Sequence, residues 1–456
     1  MEHLIEINPT PPEQVPSPAF QVDMPEEASA PLNILWGKIA EICIYLLAGL
    51  TPLFFLPLTV APIEINKQIF AGLLVLIAFV CYLAVPLEKG KIIYPKSLMS
   101  LAIIILLAIL GASVVFSKAK IISLYGNLDQ SDSLISFLIY GLAFFTAAVF
   151  GLHRSETTPI SYRGRPTSQC DYFVKQQSLS WLGLFFFGGL ALTTIFGLVQ
   201  IFGQKIGLVS QLGVIAGLNT VGSLLSWAIY SAFGLVVIIA VLFWGKMADL
   251  ACKKNKILLI GLGLLIIFEL IILNYSVVWL ALALVIIFLM AYKFFTFNKL
   301  DPILVIIISF FLFFGFAGKS FPALVDLPIE VRPSLSATFE VIKGGLTFPR
   351  FLIGSGPSTF SYDYSLHRPL ALNQTNLWQL RLNQVFSFLP TFLATAGILA
   401  VLAILFLVFC LIWQIRQALS GTSLQTRQAG PIALGIIFLL ISWLFAPNFF
   451  TQSLFI

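Results

Sequence analysis

Leu98–Phe116 reads LMSLAIIILLAILGASVVF, an apolar run without a single charge. A helix of that length rises about 28 Å, close to the thickness of a bilayer's hydrocarbon core. Comparable runs recur along the chain at Ala40–Pro57, Ile69–Pro86, Leu134–Leu152, Trp181–Phe202 and Leu224–Trp244. Others lie at Ile257–Leu273, Val277–Met290, Ile303–Ala317, Phe386–Trp413 and Ile432–Phe449. With Leu98–Phe116 they predict an all-α, polytopic integral membrane protein of about 11 transmembrane helices. Composition agrees: of 456 residues 59% are hydrophobic and 10% charged, 43 are Phe, and the mean hydropathy is +0.98. A soluble domain has no core large enough for so much apolar surface and too little charge to cover itself.

The runs divide the chain into four parts. Residues 1–33 form an acidic, proline-rich tail (Pro9, Pro11, Pro12, Pro16, Pro18, Glu26, Glu27), expected to be disordered and cytoplasmic. It lacks the basic region and cleavage site of a signal peptide. Residues 34–318 hold nine spans, the seventh and eighth a hairpin turning at Asn274-Tyr275-Ser276. Residues 319–385 form a large loop, and residues 386–456 hold the last two spans. Gly203 to Gly222 is too polar for a span and reads as a short interfacial helix. The chain stops at Ile456 in a still-apolar stretch without a polar tail, as expected of a truncated product lacking a further span or domain.

Lys and Arg set the orientation. With the N-terminus inside, the cytoplasmic side holds Lys38, Lys89, Lys91, Lys96, Arg154, Arg163, Arg165, Lys175, Lys246, Lys253, Lys254, Lys256, Lys293, Lys299, Arg416 and Arg427. The short outer loops hold only Lys67, Lys118, Lys120 and Lys205. Positive charge in short loops stays inside, so the N-terminus is cytoplasmic and the 319–385 loop extracytoplasmic, in an inner or plasma membrane. The net charge of +6 therefore reflects orientation, and no basic stripe or stacking platform suggests nucleic acid. Cys43, Cys81, Cys170, Cys252 and Cys410 fall in spans or cytoplasmic loops, and His3, His153 and His367 are scattered. Neither a disulfide framework nor a metal centre is expected.

The outer loop carries Lys319, Arg332, Lys343, Arg350, Arg368 and Arg381 against Asp326, Glu330, Glu340 and Asp363. Arg332-Pro333-Ser334 followed by Leu335, Phe339 and Ile342, closed by Gly344-Gly345, predicts an amphipathic helix on the membrane surface. Gly354 and Gly356 ahead of Pro357 predict a tight turn with exposed backbone amides, more a structural turn than a phosphate cradle. No Lys follows them and no strand precedes them, which excludes a P-loop. Within a span, Glu269 reads either as a carboxyl kept neutral or reaching the outer interface, or as a group lining a substrate cleft.

Phe351-Leu352-Ile353-Gly354-Ser355-Gly356-Pro357-Ser358-Thr359-Phe360, with Asn373 some dozen residues on and Thr395-Ala396-Gly397-Ile398-Leu399 in the next span, resembles the signature loop of the O-antigen ligase and polymerase family. Ser117 to Ser133, with Leu124-Tyr125-Gly126, and Leu218-Asn219-Thr220-Val221-Gly222-Ser223 are weaker echoes of the same family. The chain departs from the pattern where Ala371 and Leu372 replace histidines, at Ser276-Val277-Val278-Trp279, and at Asp129-Gln130-Ser131. The resemblance implies a cofactor-free, metal-independent bacterial cell-envelope glycosyltransferase of polysaccharide biosynthesis. Its partners would be a polyprenyl-diphosphate-linked glycan, a lipid or glycan acceptor, and membrane lipids. Such a reaction needs cations for the diphosphate and a base for the acceptor hydroxyl. Arg332, Lys343, Arg350, Arg368 and Arg381, with Asn373 and Glu269, are the candidate substrate-binding groups. His367, Asp363 and Glu340 compete as the catalytic base. The alternatives are a small-solute or anion transporter, a role assigned to some relatives, and a catalytically inactive member.

Overall fold

The computed structural model describes residues 31–56, 63–88, 95–127, 132–156, 169–205, 219–243, 253–297, 300–321, 325, 327, 331–345, 347–348, 350–370, 374, 378–379, 382, 386–420, 424–447 and 453–454. Among them there is no strand. The helices are α1 Pro31–Leu50, α2 Glu64–Glu88, α3 Leu98–Phe116, α4 Lys120–Tyr125, α5 Leu134–Glu156, α6 Gln169–Lys205, α7 Leu224–Phe243, α8 Lys253–Leu273, α9 Ser276–Phe297 and α10 Pro302–Ala317. After a 3-10 turn at Gly318–Ser320 come α11 Leu335–Gly345, α12 Arg350–Ile353, α13 Phe360–His367, α14 Phe388–Ser420 and α15 Leu424–Phe445.

Each of the eleven apolar runs contains a helix. Seven helices, within α2, α3, α6, α7, α8, α9 and α14, are long and apolar enough to cross a bilayer. Leu134–Val149, Pro302–Ala317 and Gly430–Phe445 are shorter apolar helices. α1 begins at Pro31, so the last residues assigned to the tail are already helical. The tail itself and the 206–218 part of the expected interfacial helix lie outside the described residues.

The exterior is that of a protein solvated by lipid. Along α2, Ile69, Leu73, Leu76, Val80 and Leu83 are all exposed, at spacings of three and four residues that draw one stripe down the helix. Its opposite face buries Ala71, Leu74, Val75, Ala78, Cys81 and Tyr82. An apolar stripe of that length would aggregate in water, whereas hydrocarbon leaves it no penalty. Where helices must approach closely, small residues let them. A Cβ on Gly189 of α6 would lie 2.2 Å from the Gly49 carbonyl oxygen of α1.

α7 is the hub. Every residue from Leu224 to Ala240 is buried, and α6, α8, α9 and α15 pack around it. A helix hydrophobic on all sides requires neighbours on all sides. The α8–α9 hairpin turns where expected. Asn274 adopts φ 47°, a left-handed conformation that Asn tolerates, and its Nδ2 donates to the Gly318 carbonyl at 2.8 Å. At the same end of the bundle, the Phe388 amide donates to the Ala446 carbonyl at 3.0 Å. Ser113 Oγ there donates to the Ile353 carbonyl at 2.6 Å. These are the helix ends that the charge count places outside.

α11 forms over the predicted residues, with Leu335 and Phe339 of its expected apolar face outward and Ile342 inward. Ala337, Thr338, Val341 and Ile342 pack inward, while Leu335 and Phe339 are 49% and 59% exposed. The cause is a tertiary pocket the helix's own pattern does not reveal. Phe360 and Tyr364 of α13 and Ala394 of α14 make a small core that Val341 and Ile342 complete. Thr338 is small enough to enter beside them, and Phe339 turns outward with Leu335 one turn before it.

Candidate functional site

The site is built on a break in α14. Gly397 has φ 78° and ψ −179°, a conformation essentially restricted to glycine, in the middle of an otherwise apolar helix. Breaking the ladder there frees carbonyls of the preceding turn from their intrahelical partners. The Gly354–Gly356 turn takes them up. The Ser355 amide donates to the Ala394 carbonyl at 3.4 Å, and the Gly356 amide donates to the Thr395 carbonyl at 2.7 Å. The Gly354 amide donates to the Arg350 carbonyl at 2.7 Å, closing α12. The amides expected to be exposed are therefore committed, in keeping with a structural turn.

Both glycines are required by closeness as well as by angle. Gly354 (φ 74°) lies so close to α14 that a Cβ would meet the Thr395 carbonyl oxygen at 2.2 Å. At Gly356 (φ 120°) a Cβ would meet the hydroxyls of Ser123 and Ser117 at 2.2 and 2.3 Å. Those two serines, hydrogen-bonded to each other at 2.8 Å, belong to the segment that opens α4. The turn is thus wedged between α14 and the loop after α3.

From here a chain of buried polar contacts crosses this end of the bundle. Ser358 Oγ donates to Asp132 Oδ1 at 2.8 Å. Next to Asp132, Ser133 accepts from Gln68 Nε2 of α2 at 3.3 Å and lies 3.0 Å from Ser136. Beside Gln68, Lys67 is completely buried, and its Nζ donates to the Val221 carbonyl at 2.6 Å. Asn219 Oδ1 accepts from the amides of Val221 and Gly222 at 2.9 and 2.8 Å, shaping the turn that leads into α7. The three stretches that carry the family resemblance, far apart in sequence, are in this way joined.

Above the turn, Asp363 on α13 is 5% exposed and accepts a hydrogen bond from Ser355 Oγ, which also lies 2.7 Å from Thr359 Oγ1. Burial pushes the Asp363 carboxyl above its ordinary value, opposed by the Ser355 hydrogen bond and the charges of Arg350 and His367. Asp363 and His367, four residues apart on α13, share a helix face. The imidazole rests on Gly344 of α11, where a Cβ would meet Nδ1 at 2.7 Å. Arg350, Asp363 and His367 are therefore brought together over the glycine turn.

The other predicted site residues are placed differently. Lys343 and Glu340 are exposed on α11, and Arg332 is half-buried just before it. Arg368 is half-buried and donates through Nη1 to the Trp378 carbonyl at 2.7 Å, which commits one edge of its fork. Arg381 and Asn373 lie outside the described residues. Glu269 is completely buried within α8, beside Ser231 of α7 and Thr194 of α6. Ser355, Ser358 and Asp132, which lie inside the family-like stretches, and Gln68 and Lys67 belong to the same assembly but are not among the predicted site residues. The legible signal was Lys67-Gln68, a polar pair set against an apolar run.

Asp132 makes a pH prediction. Burial raises its carboxyl above the ordinary value, opposed by the hydrogen bond from Ser358. A carboxyl raised in the folded state binds its proton more tightly there. Its stabilising contribution is complete below the unfolded value, about 3.9, and is lost as pH rises through the folded value. Thermal unfolding in detergent should therefore show wild type losing stability with rising pH across that window. Asp132→Asn should flatten the loss, and an equally steep fall in the variant would contradict the assignment.

Compared with protein-family models and with curated proteins, the chain matches none.

Proposed function

We propose that the chain is a membrane-embedded glycosyltransferase. More particularly, it acts like the O-antigen ligases and polymerases, moving a glycan from a polyprenyl diphosphate to a lipid or glycan acceptor. In this reading all eleven apolar helices cross the bilayer, the N-terminus is cytoplasmic, and the 319–385 loop works at the extracytoplasmic face of an inner or plasma membrane. The observation that carries it is the grouping of Arg350, Asp363 and His367 on a rigid turn, at the point where the three family-like stretches are tied together.

The chemistry follows from the positions. The acceptor hydroxyl oxygen attacks the anomeric carbon, the bond from that carbon to the diphosphate oxygen breaks, and polyprenyl diphosphate leaves. Arg350 holds the diphosphate as its negative charge grows, because a guanidinium fork matches phosphate oxygens. His367 takes the hydroxyl proton. Its half-buried ring is more accessible than Asp363, whose carboxylate is already engaged by Ser355. Asp363, one turn earlier on the same helix face, sets a buried carboxyl beside these groups. Glu340, exposed on α11, is left without a role.

The test is transfer by purified protein in vesicles supplied with a polyprenyl-diphosphate-linked glycan, with released polyprenyl diphosphate and extended acceptor both measured. Wild type should turn over and Arg350→Ala should not. Full activity in each of the Ala variants of Arg332, Lys343, Arg350, Arg368 and Arg381 would overturn the reading.

A further inference from the structure

Glu269, a candidate substrate-binding group by sequence, has hydroxyl neighbours of its own, apart from the contacts that gather Arg350, Asp363 and His367. It sits one turn before the C-terminal end of α8, Leu264-Leu265-Ile266-Ile267-Phe268 before it and Leu270-Ile271-Ile272-Leu273 after it, and its side chain is completely buried. Two hydroxyls from two other helices, Ser231 of α7 and Thr194 of α6, lie beside its carboxyl and are themselves completely buried. Neither makes a hydrogen bond of acceptable geometry with it: among the described residues Glu269 Oε1 and Oε2, Ser231 Oγ and Thr194 Oγ1 all lack a partner.

The hydroxyls are informative because of what they decline to do. A buried Ser or Thr in a helix ordinarily satisfies itself on the carbonyl one turn back. In this protein Thr146, Thr193, Thr391 and Thr395 all do so, donating to Leu142, Gly189, Ser387 and Thr391. Ser231 and Thr194 do not. Four oxygens from three packed helices thus gather in apolar surroundings, each of them costly to leave unmet.

We propose that Glu269, Ser231 and Thr194 form an intramembrane binding site for one sodium ion. The donor set is all oxygen, with no nitrogen or sulfur, which suits a hard cation. A single carboxylate neutralises one positive charge, and a divalent ion would leave a net charge buried in low dielectric. The site sits against α7, the hub of the bundle, so an occupied site ties α6, α7 and α8 together. The inference is independent of the glycosyltransferase reading, since it concerns binding by the folded bundle and needs no turnover.

The experiment is thermal unfolding of the purified full chain in detergent, titrated with NaCl against choline chloride at constant ionic strength, alongside equilibrium binding of radiolabelled sodium. Wild type should show a saturable rise in Tm specific to sodium and bind about one ion per chain, as mass action on the folded state requires. Glu269→Gln keeps the side chain's shape and should abolish both effects. Ser231→Ala should weaken sodium binding about tenfold or more while the protein still folds. If wild type binds no sodium and its Tm is the same in both salts, the carboxyl is neutralised by a proton alone and the proposal fails. Sodium binding undiminished in Glu269→Gln would also overturn it.

Discussion

Replacing Gly397 by alanine is expected to be among the most damaging single-methyl changes in the protein. Its backbone, at φ 78° and ψ −179°, occupies a region that a Cβ makes unfavourable by about 1–3 kcal/mol. The methyl group would also meet the Leu352 carbonyl oxygen at 2.4 Å and the amides of Gly354 and Ile353 at 2.6 Å. Those neighbours are backbone, held by the hydrogen bonds of the glycine turn, and cannot rotate aside. Overpacking of this kind costs about 1–3 kcal/mol more. The expected total of about 2–6 kcal/mol is a large part of the stability of most folds. Thermal unfolding in detergent should show a large fall in Tm, or no folded fraction at all. Gly111→Ala in α3 is the control: a Cβ there meets nothing within 4 Å, so the change should be neutral or mildly stabilising. Equal behaviour of the two variants would mean that α14 is not broken at Gly397.

The second large effect is kinetic. His367→Ala should lower the rate of glycan transfer by about 10²–10⁴-fold, the usual contribution of a positioned general base. Arg350→Ala should cost about 10²–10³-fold, as loss of one group stabilising developing charge does. Asp363→Asn should also slow transfer, since it alters the carboxylate that Ser355 bonds beside Arg350 and His367. Glu340→Gln should stay near wild type, since Glu340 is exposed and has no part in the step. Transfer that survives His367→Ala but is lost in Glu340→Gln would move the base from α13 to α11.

The helices were legible in the sequence because the bilayer makes their signal simple. A run such as Leu98–Phe116 must be helical if it lies in hydrocarbon, and hydropathy alone then locates it. The α8–α9 turn was legible for a similar reason, since Asn274-Tyr275-Ser276 is the polar break between two such runs. Gly354 and Gly356 advertised a turn, and their positive φ values bear that out. What could not be read was where the turn's amides go. That depends on the carbonyls freed at Gly397, some forty residues later, in a span whose sequence looks continuous. The inward packing of α11 was hidden likewise, because Val341 and Ile342 complete a core with Phe360, Tyr364 and Ala394 that no local pattern joins to them. The polar pairs around the glycine turn were out of reach for a plainer reason. Ser358 and Asp132 are 226 positions apart, and no local pattern marks one as the other's partner.

The grouping at α13 also changes which candidates matter. From the sequence, five loop cations were equivalent as diphosphate ligands and three residues as the base. Burial and position separate them: Arg350, Asp363 and His367 share one patch, while Arg368 is partly committed to the Trp378 carbonyl. An active site is a small fraction of a loop's charges, and what selects it is the rigid support beneath.

All of this chemistry requires α13 and the glycine turn to face away from the cytosol. The direct measurement is labelling of single cysteines in a cysteine-free background, using a membrane-impermeant maleimide on intact cells. Leu366→Cys, at a side chain 70% exposed on α13, should label without permeabilisation, whereas Arg416→Cys, exposed near the far end of α14, should label only after it. The reverse pattern would put the Arg350–Asp363–His367 patch in the cytosol and contradict the account.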